Sequence, residues 1–369
     1  MTGTNTELWV EQGDIGKVIF KAVPIPDLKK NEILCRIDTF GLSANNVTYA
    51  MLGRSYRYFD FFPVAGDTEK KYGKVPVWGM ATVTRSNHTE IPTGERIYGY
   101  FPLAQYEVIK VSSSGFTPAF FYTERPHLPA DRKVYNQLFR QKGDPFYDAK
   151  HEGEMMLFRP LYWTSFFLDD YINENGYFNA KTVVISSASS KTAFCYAFLA
   201  KQRGIHTIAL TSPSNVGFVK SLGFYDDIVT YENLKQLPKV DSLYVDVSGS
   251  KDLAKQVHEH LGSNLKRALS VGMSNAGEAK GEFPEGTEIF FAPPWMKKRQ
   301  EELRGTLLDI MRKSWKSSMD RVEDWVKVQR LTGTANVEKT WLAMVNGRTP
   351  PDIGYVLSLW DNPPIGSKL

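Results

Sequence analysis

Cysteine is scarce in this chain: Cys35 and Cys195 are the only two in 369 residues. Each lies inside an apolar strand-like or helix-like run, so both read as small buried hydrophobes. Two cysteines cannot build a four-cysteine structural zinc site. Histidine is sparse as well. The six histidines are scattered, no H-E-x-x-H pair occurs, and His258 and His260 stand two apart in a helix-like run, where they point to different faces. No metal is expected. Long apolar runs are missing: no stretch of about 18 apolar residues exists, which excludes a membrane-spanning helix. The opening residues MTGTNTELWVEQ have no basic segment followed by an apolar one, which argues against a secretory leader and for a cytoplasmic setting. Neither sign of charge dominates. The 45 Lys and Arg stand against 41 Asp and Glu, a net +4 that gives no basis for a nucleic-acid partner. Internal repeats and low-complexity tracts are also absent.

What is present has the length of about two domains of ~150 residues each. Residues 7 to 111 are strand-rich, with ILCRIDTFGLS, VPVWGMATVTRS and ERIYGYFPL set between turn residues such as Pro76, Pro92 and Gly94. One short helix interrupts them, with Ser43 as its cap and NNVTYAML following. Residues 112 to 152, with Pro118, Pro126, Pro129 and Pro145, read as an irregular connection. From about residue 153 the pattern changes. LYWTSFFLDDYI suits a buried helix, and then strands and helices alternate from VVISSA to EIFFAP. This is the rhythm of a parallel sheet with helices on both faces. After Pro294, the stripe Leu303, Leu307, Met311, Trp315, Met319, Val322 and Val326 predicts one long helix packed through that face. DIGYVLSLWD reads as a final strand.

The stretch VVISSASSKTAF, residues 183 to 194, is an apolar strand entering a small polar turn and then a helix, without a glycine. Its Lys191-Thr192 pair suggests a P-loop, G-x-x-x-x-G-K-[ST], with Asp246 in the place of a second acidic motif. However, Ile185 and Ser190 occupy the two glycine positions, and the order of elements around the turn is wrong for that class. The second reading is a dinucleotide turn. The strand after it, Thr207 to Thr211, runs into LTSPSN, where no Asp or Glu waits for the ribose hydroxyls of NAD. Absence of that acid favours the 2′-phosphate of NADP, for which Ser212, Ser214 and Asn215 are candidate donors; the same residues also read as a polar loop of helix caps. Serine replaces glycine where the turn is right-handed or extended, and its hydroxyl then donates to phosphate. The helix N-terminus adds oriented N–H groups. Lys191 in the first helical turn opposes the helix dipole by ~0.3–1 kcal/mol, which a bound anion would offset.

The whole layout resembles the medium-chain dehydrogenase/reductase superfamily. GLSANNVTYAMLG, VPVWGMATVTRS with TGERIYGY, and VVISSASSKTAFCYAFLAK match its recurring segments, the last aligning without a gap on the glycine-rich turn of the quinone-reductase branch. SANNVTYAMLG, YFDFFP, VPVWG, RPLYWTSFFLDDY and SSASSKTA are similar to a little-characterised branch carried as a domain of unknown function in bacteria and fungi. The resemblance implies an α/β chain with a GroES-like, β-rich catalytic domain over 1–150 and 297–369, and a Rossmann domain with a doubly wound parallel sheet over 151–296. This sequence departs from the pattern at the turn, where Ser187, Ser190, Lys191 and Ala193 stand at the glycine positions. The cysteine and histidine ligands of zinc alcohol dehydrogenases are missing too.

That resemblance implies zinc-independent hydride transfer from NADPH to an enone- or quinone-like small molecule. Cofactor contacts would fall to Ser187, Ser189, Ser190, Lys191, Thr192, Ser212, Asn215 and Tyr231, and to Gly272 in the loop after RALSVGM. Ser43, Asn46 and Tyr49, beside Asn45 and Thr48, would line the catalytic site, where a neutral Tyr or Asn donor suits a developing oxyanion. Ser43 as a helix cap and the Asn pair as backbone partners is the plainer account of those residues. RSYRYFDFFP reads as an aromatic lid or as a second small core. GMSNA approaches a nucleophile elbow, but no histidine follows it. The resemblance further implies a homodimer through a sheet edge. Two alternatives stay open: a non-catalytic or sensing nucleotide-binding protein, and a dehydratase- or isomerase-type enzyme.

Overall fold

The computed structural model describes residues 3–271 and 282–362. They form two compact units: Met1–Leu157 with Arg312–Val322 and Lys327–Leu369, and Phe158–Met311 with Glu323–Val326.

The first unit is built from β1 (Thr4–Glu11), β2 (Asp14–Pro24), β3 (Glu32–Leu42), α1 (Ala44–Met51), β4 (Tyr72–Lys74), β5 (Pro76–Ser86), β6 (Arg96–Pro102), β7 (Tyr106–Lys110), β8 (Phe120–Tyr122) and β9 (Gln137–Arg140). β3 is the hub, pairing antiparallel with both β5 and β7. Its register against β5 slips between Leu34 and Cys35 and again between Ile37 and Thr39. Such irregularities bend a strand and let a sheet curl on itself. The alternating Ile33, Cys35 and Ile37 then share one core with Val83, Ile97, Ile109 and Phe121. The region predicted as irregular contributes β8 and β9, which pair with each other while β9 also joins β6. They are three and four residues long, too short to show a period among the prolines.

α2 (Glu152–Glu174) runs well beyond the predicted LYWTSFFLDDYI segment and contains Pro160. The second unit then alternates β10 (Thr182–Ile185), α3 (Lys191–Gln202), β11 (His206–Thr211), α4 (Val216–Leu222), β12 (Asp227–Thr230), β13 (Ser242–Asp246), α5 (Lys251–Leu261), β14 (Leu265–Ser270) and β15 (Thr287–Ile289). The six strands are parallel, in the order β12-β11-β10-β13-β14-β15. The order reverses between β10 and β13, the switch point where open α/β sheets bind ligands. One sheet face packs Val184, Ile208 and Tyr244 on Leu253, Val257 and Leu261 of α5. Phe194 and Phe198 of α3 instead meet Trp325.

The predicted single long helix is three: α6 (Ala292–Leu303), α7 (Thr306–Met319) and α8 (Val322–Trp325). The break falls at Arg304, which takes φ +45, followed by Gly305. Left-handed backbone ends a helix, and glycine does not favour its continuation. The stripe itself is packing, since Leu307, Trp315, Met319, Val322 and Val326 are all buried. β16 (Lys327–Thr332), α9 (Thr334–Val345) and β17 (Ile353–Ser358) complete the chain. β17, the predicted final strand, pairs antiparallel with β3 and parallel with β16. β16 and α9 are unexpected, although Val337, Trp341 and Met344 of α9 recur at spacings of four and three; they join the core of the first unit.

Candidate functional site

The glycine-free turn joins β10 to α3 at the switch point. Ser187 takes φ +50, so its backbone is left-handed rather than right-handed or extended. A side chain there costs about 1–3 kcal/mol and persists only where the surroundings impose it. The surroundings do so residue by residue. Ser186 Oγ donates to Asp246 Oδ1 at 2.6 Å, and Ser187 N donates to the Tyr231 hydroxyl at 3.0 Å. The Tyr225 hydroxyl donates to Ala188 O at 2.9 Å, and Asn215 Nδ2 donates to Ser189 Oγ at 3.0 Å. Ser190 is the N-cap of α3, its hydroxyl accepting from Ala193 N at 3.4 Å. The Thr192 carbonyl accepts from Ser165 Oγ at 2.8 Å.

These bonds gather residues from four strand ends. Ser189 and Asn215 meet, as do Ser187 and Tyr231, and Ser212 shares a hydrogen bond with Ser214 at 3.1 Å. Ser187, Ser189, Ser190, Lys191, Thr192, Ser212, Asn215 and Tyr231 all keep accessible surface, whereas Ser186 and Ala188 beneath them are buried. The set suits a phosphate: hydroxyl and amide donors with one lysine at a helix N-terminus. The carboxylate bound into the turn, Asp246, lies underneath at 1% exposure, its oxygens taken by Ser186, Tyr244, Ser248 and Gly249. Burial raises its pKa, partly offset by those hydrogen bonds. Gly272, with Met273, Ser274, Asn275 and Gly277, lies outside the described residues.

Ser43, Asn46 and Tyr49 belong to the first unit and form a cluster of their own. Asn46 Oδ1 accepts from Ser43 N at 2.8 Å, and its Nδ2 donates to Pro76 O at 2.9 Å. The buried amide therefore closes the N-terminus of α1 and ties it to β5. Tyr49, one turn on, is buried, and its hydroxyl accepts from Trp78 Nε1 at 3.2 Å. Burial, reinforced by neighbouring Tyr58, raises the Tyr49 pKa. Around it stand Tyr58, Tyr100 and Tyr135, with ring centroids 4.7, 5.5 and 6.3 Å away.

Of the two readings of RSYRYFDFFP, the structure shows a small aromatic core. Tyr58, Phe61 and Phe62 are buried in this cluster, and Phe59 fills the space left by Gly53 and Gly73, neither of which has room for a Cβ. Arg54 bonds Gln12 and Arg57 pairs with Asp60. Arg125, over Phe61 and Phe62 at 5.6 and 4.7 Å, was not singled out from sequence. Neither were Trp78, Tyr100 and Tyr135. The i, i+2 pair Tyr98 and Tyr100 in RIYGY was the available signal, because alternate residues of a strand share a face. The Tyr100 hydroxyl is buried without a hydrogen-bond partner among the described residues. Cys35 and Cys195 are both buried and free, and no group of three or more His, Cys, Asp or Glu that would hold a metal occurs among the described residues. No helix there is long and apolar enough to cross a membrane.

A β-rich unit completed by the C-terminal strands, together with a six-stranded parallel sheet that reverses order at its centre, is the fold of the medium-chain dehydrogenase/reductases. The chain belongs to the family described as protein of unknown function DUF2855, whose model matches residues 40–350. No curated protein matches it. Among solved structures, CurA from Vibrio vulnificus is similar with a TM-score of 0.63 at 15% identity, over 98% of this chain and 100% of that one. CurA in complex with NADPH gives 0.63 at 16%, over 97% and 100%. A putative NADPH:quinone reductase from Mesorhizobium loti gives 0.58 at 12%, over 97% and 99%. At such identities the likeness is one of fold.

Proposed function

We propose that this protein is an NADPH-dependent, zinc-independent oxidoreductase that reduces an enone- or quinone-like carbonyl compound. The observation that carries the reading is the acid-free cluster of donors at the carboxyl ends of β10 and β11, held at the switch point of the sheet. The NADPH named with one solved relative, and the quinone reductase named with another, support the cofactor and the substrate class. In this reading Ser187, Ser189, Ser190, Lys191 and Thr192 hold the pyrophosphate, while Ser212, Asn215 and Tyr231 hold the 2′-phosphate. Gly272, outside the described residues, is assigned to the cofactor in the same reading.

The bound cofactor supplies the hydride. The chain's own part is to polarise the acceptor and supply or pass on a proton. Tyr49 has the chemistry for it, since its oxygen accepts from Trp78 while its proton remains to donate to a developing oxyanion. Asn46 and Ser43 position α1, and with it Tyr49. The catalytic domain spans 1–150 and 297–369 and the dinucleotide-binding domain 151–296. The protein acts in the cytoplasm on a small molecule. It forms a homodimer through β15, an edge strand of the parallel sheet on which Ile289 is 65% exposed. Light scattering tests the dimer, with an Ile289→Lys variant expected to be monomeric.

One observation favours a second reading, a binding or sensing protein without turnover. The Ser187 amide, a donor that a phosphate would use, is already engaged by Tyr231. Calorimetric titration with NADPH and NADH, followed by an NADPH-consumption assay over enones and quinones, separates the two. Preferential NADPH binding with turnover supports the reductase, binding without consumption supports the sensor, and no NADPH binding overturns both. Conversion of a substrate without NADPH consumption would point to the dehydratase or isomerase alternative.

A further inference from the structure

Dinucleotide turns ordinarily use glycine to bring backbone close to phosphate. This turn has none, and its one left-handed residue is a serine. The alternative to a residue that tolerates the conformation is a neighbourhood that enforces it. That neighbourhood centres on the Asp246 carboxylate. Its Oδ1 accepts from Ser186 Oγ at 2.6 Å, Ser248 Oγ at 2.7 Å, Ser248 N at 3.0 Å and the Tyr244 hydroxyl at 3.2 Å. Its Oδ2 accepts from Gly249 N at 3.2 Å. Ser186 Oγ in turn accepts from Val247 N at 3.0 Å and Ser248 N at 3.1 Å. One carboxylate and one hydroxyl thus lock the residue that opens the β10–α3 turn onto the turn after β13. Asp246, Ser186 and Ser248 are all fully or almost fully buried.

We propose that Asp246, acting through Ser186, is a positioning residue for the phosphate-binding turn, a side-chain clasp that does by hydrogen bonding what glycine does by conformational freedom. Neither residue reaches the phosphate. Their effect is to hold Ser187 left-handed and so to place the Ser189, Ser190 and Lys191 donors that follow. This inference rests on the nucleotide-binding reading above.

Asp246→Ala strands several buried donors and is at risk of not folding. Ser186→Ala is the working variant, because alanine fits the same buried space. Three quantities are compared with the wild type: NADPH Kd by calorimetry, the KM for NADPH against kcat, and hydrogen exchange of peptides spanning 183–194. The clasp predicts a rise of about tenfold or more in Kd and KM, with kcat at saturating NADPH within about twofold. It also predicts faster exchange in that peptide, while exchange in β14, at the far side of β13, stays unchanged. Unchanged Kd and exchange overturn the clasp. If the wild type itself binds no NADPH, the nucleotide reading falls, and exchange alone decides the clasp: faster exchange confined to 183–194 in Ser186→Ala upholds it, unchanged exchange overturns it.

Discussion

The Tyr231 hydroxyl accepts the Ser187 N–H at 3.0 Å, across the gap between the β10 and β12 strand ends. It meets the backbone N–H of the strained residue, Ser187 at φ +50, whose carbonyl accepts from Ser190 N at 2.8 Å. Ser187→Gly is expected to leave stability within about 1 kcal/mol of wild type. Relief of the left-handed penalty there offsets the greater freedom of glycine in the unfolded chain. Ser187→Val, β-branched at a positive φ, is expected to lose ~1–3 kcal/mol. Urea unfolding measures both, and equal stability of the two variants would contradict the strain.

Lys191 tests the anion. It opens α3, where a positive charge is unfavourable by ~0.3–1 kcal/mol. Lys191→Ala should weaken NADPH by about tenfold or more at low salt. Titration at two ionic strengths reads this, because the difference between wild type and variant should shrink as salt screens the charge. An unchanged affinity would return the lysine to the ordinary surface.

Tyr49 carries two loads that one substitution can separate. Tyr49→Phe removes the acceptor of the Trp78 indole N–H, leaving a buried donor unpaired at a cost of about 1–3 kcal/mol. It also removes the proposed proton donor, for which a loss of about 100-fold in kcat with little change in KM is expected. Trp78→Phe breaks the same hydrogen bond but keeps the phenol. It should lose stability while retaining most of kcat. If both variants lose kcat equally, the hydroxyl is structural.

Asp169 should shape the pH dependence of folding. Its Oδ2 accepts from Arg203 Nε at 2.8 Å, while its Oδ1 has no hydrogen-bond partner among the described residues. Burial pushes its pKa up to about 6, with Arg203 opposing the rise and Asp170 adding to it. A carboxyl whose pKa is raised on folding favours the protonated form in the folded state. Its stabilisation is complete below about pH 4 and is lost as pH rises through about 6, a change of ~2–3 kcal/mol at about 1.4 kcal/mol per pH unit. Asp169→Asn should remove that slope. Denaturant midpoints stepped from pH 4 to 7 for both proteins give the difference, and parallel curves would refute it.

Much of this architecture can be read from residue order. The cap at Ser43, the alternation of strands and helices after residue 153 and the final strand all follow from periodicity and turn chemistry, which act over a few residues. The elements that escaped differ in kind. β8 and β9 have too few residues to show a period, whereas α9, in which Val337, Trp341 and Met344 recur at spacings of four and three, follows β16 beyond the end of the long stripe. That stripe marked burial well and helix length poorly, because Arg304 and Gly305 break the backbone without interrupting the apolar spacing.

At the candidate site the division is sharper. The chain's sequence determined that the β10–α3 turn carries hydroxyls and a lysine in place of glycine, and that no acid ends β11, because composition and order within one segment are local facts. Tertiary structure alone decided what holds that turn. Tyr225, Tyr231, Asp246 and Asn215 reach Ala188, Ser187, Ser186 and Ser189 from 26 to 60 residues away. Parallel strand pairing brings their loops to the carboxyl end of the sheet, and no spacing along the chain announces a bond made there. The same holds for the tyrosines around Tyr49, which come from β6 and the segments between strands and meet α1 only once β5 and β6 are paired.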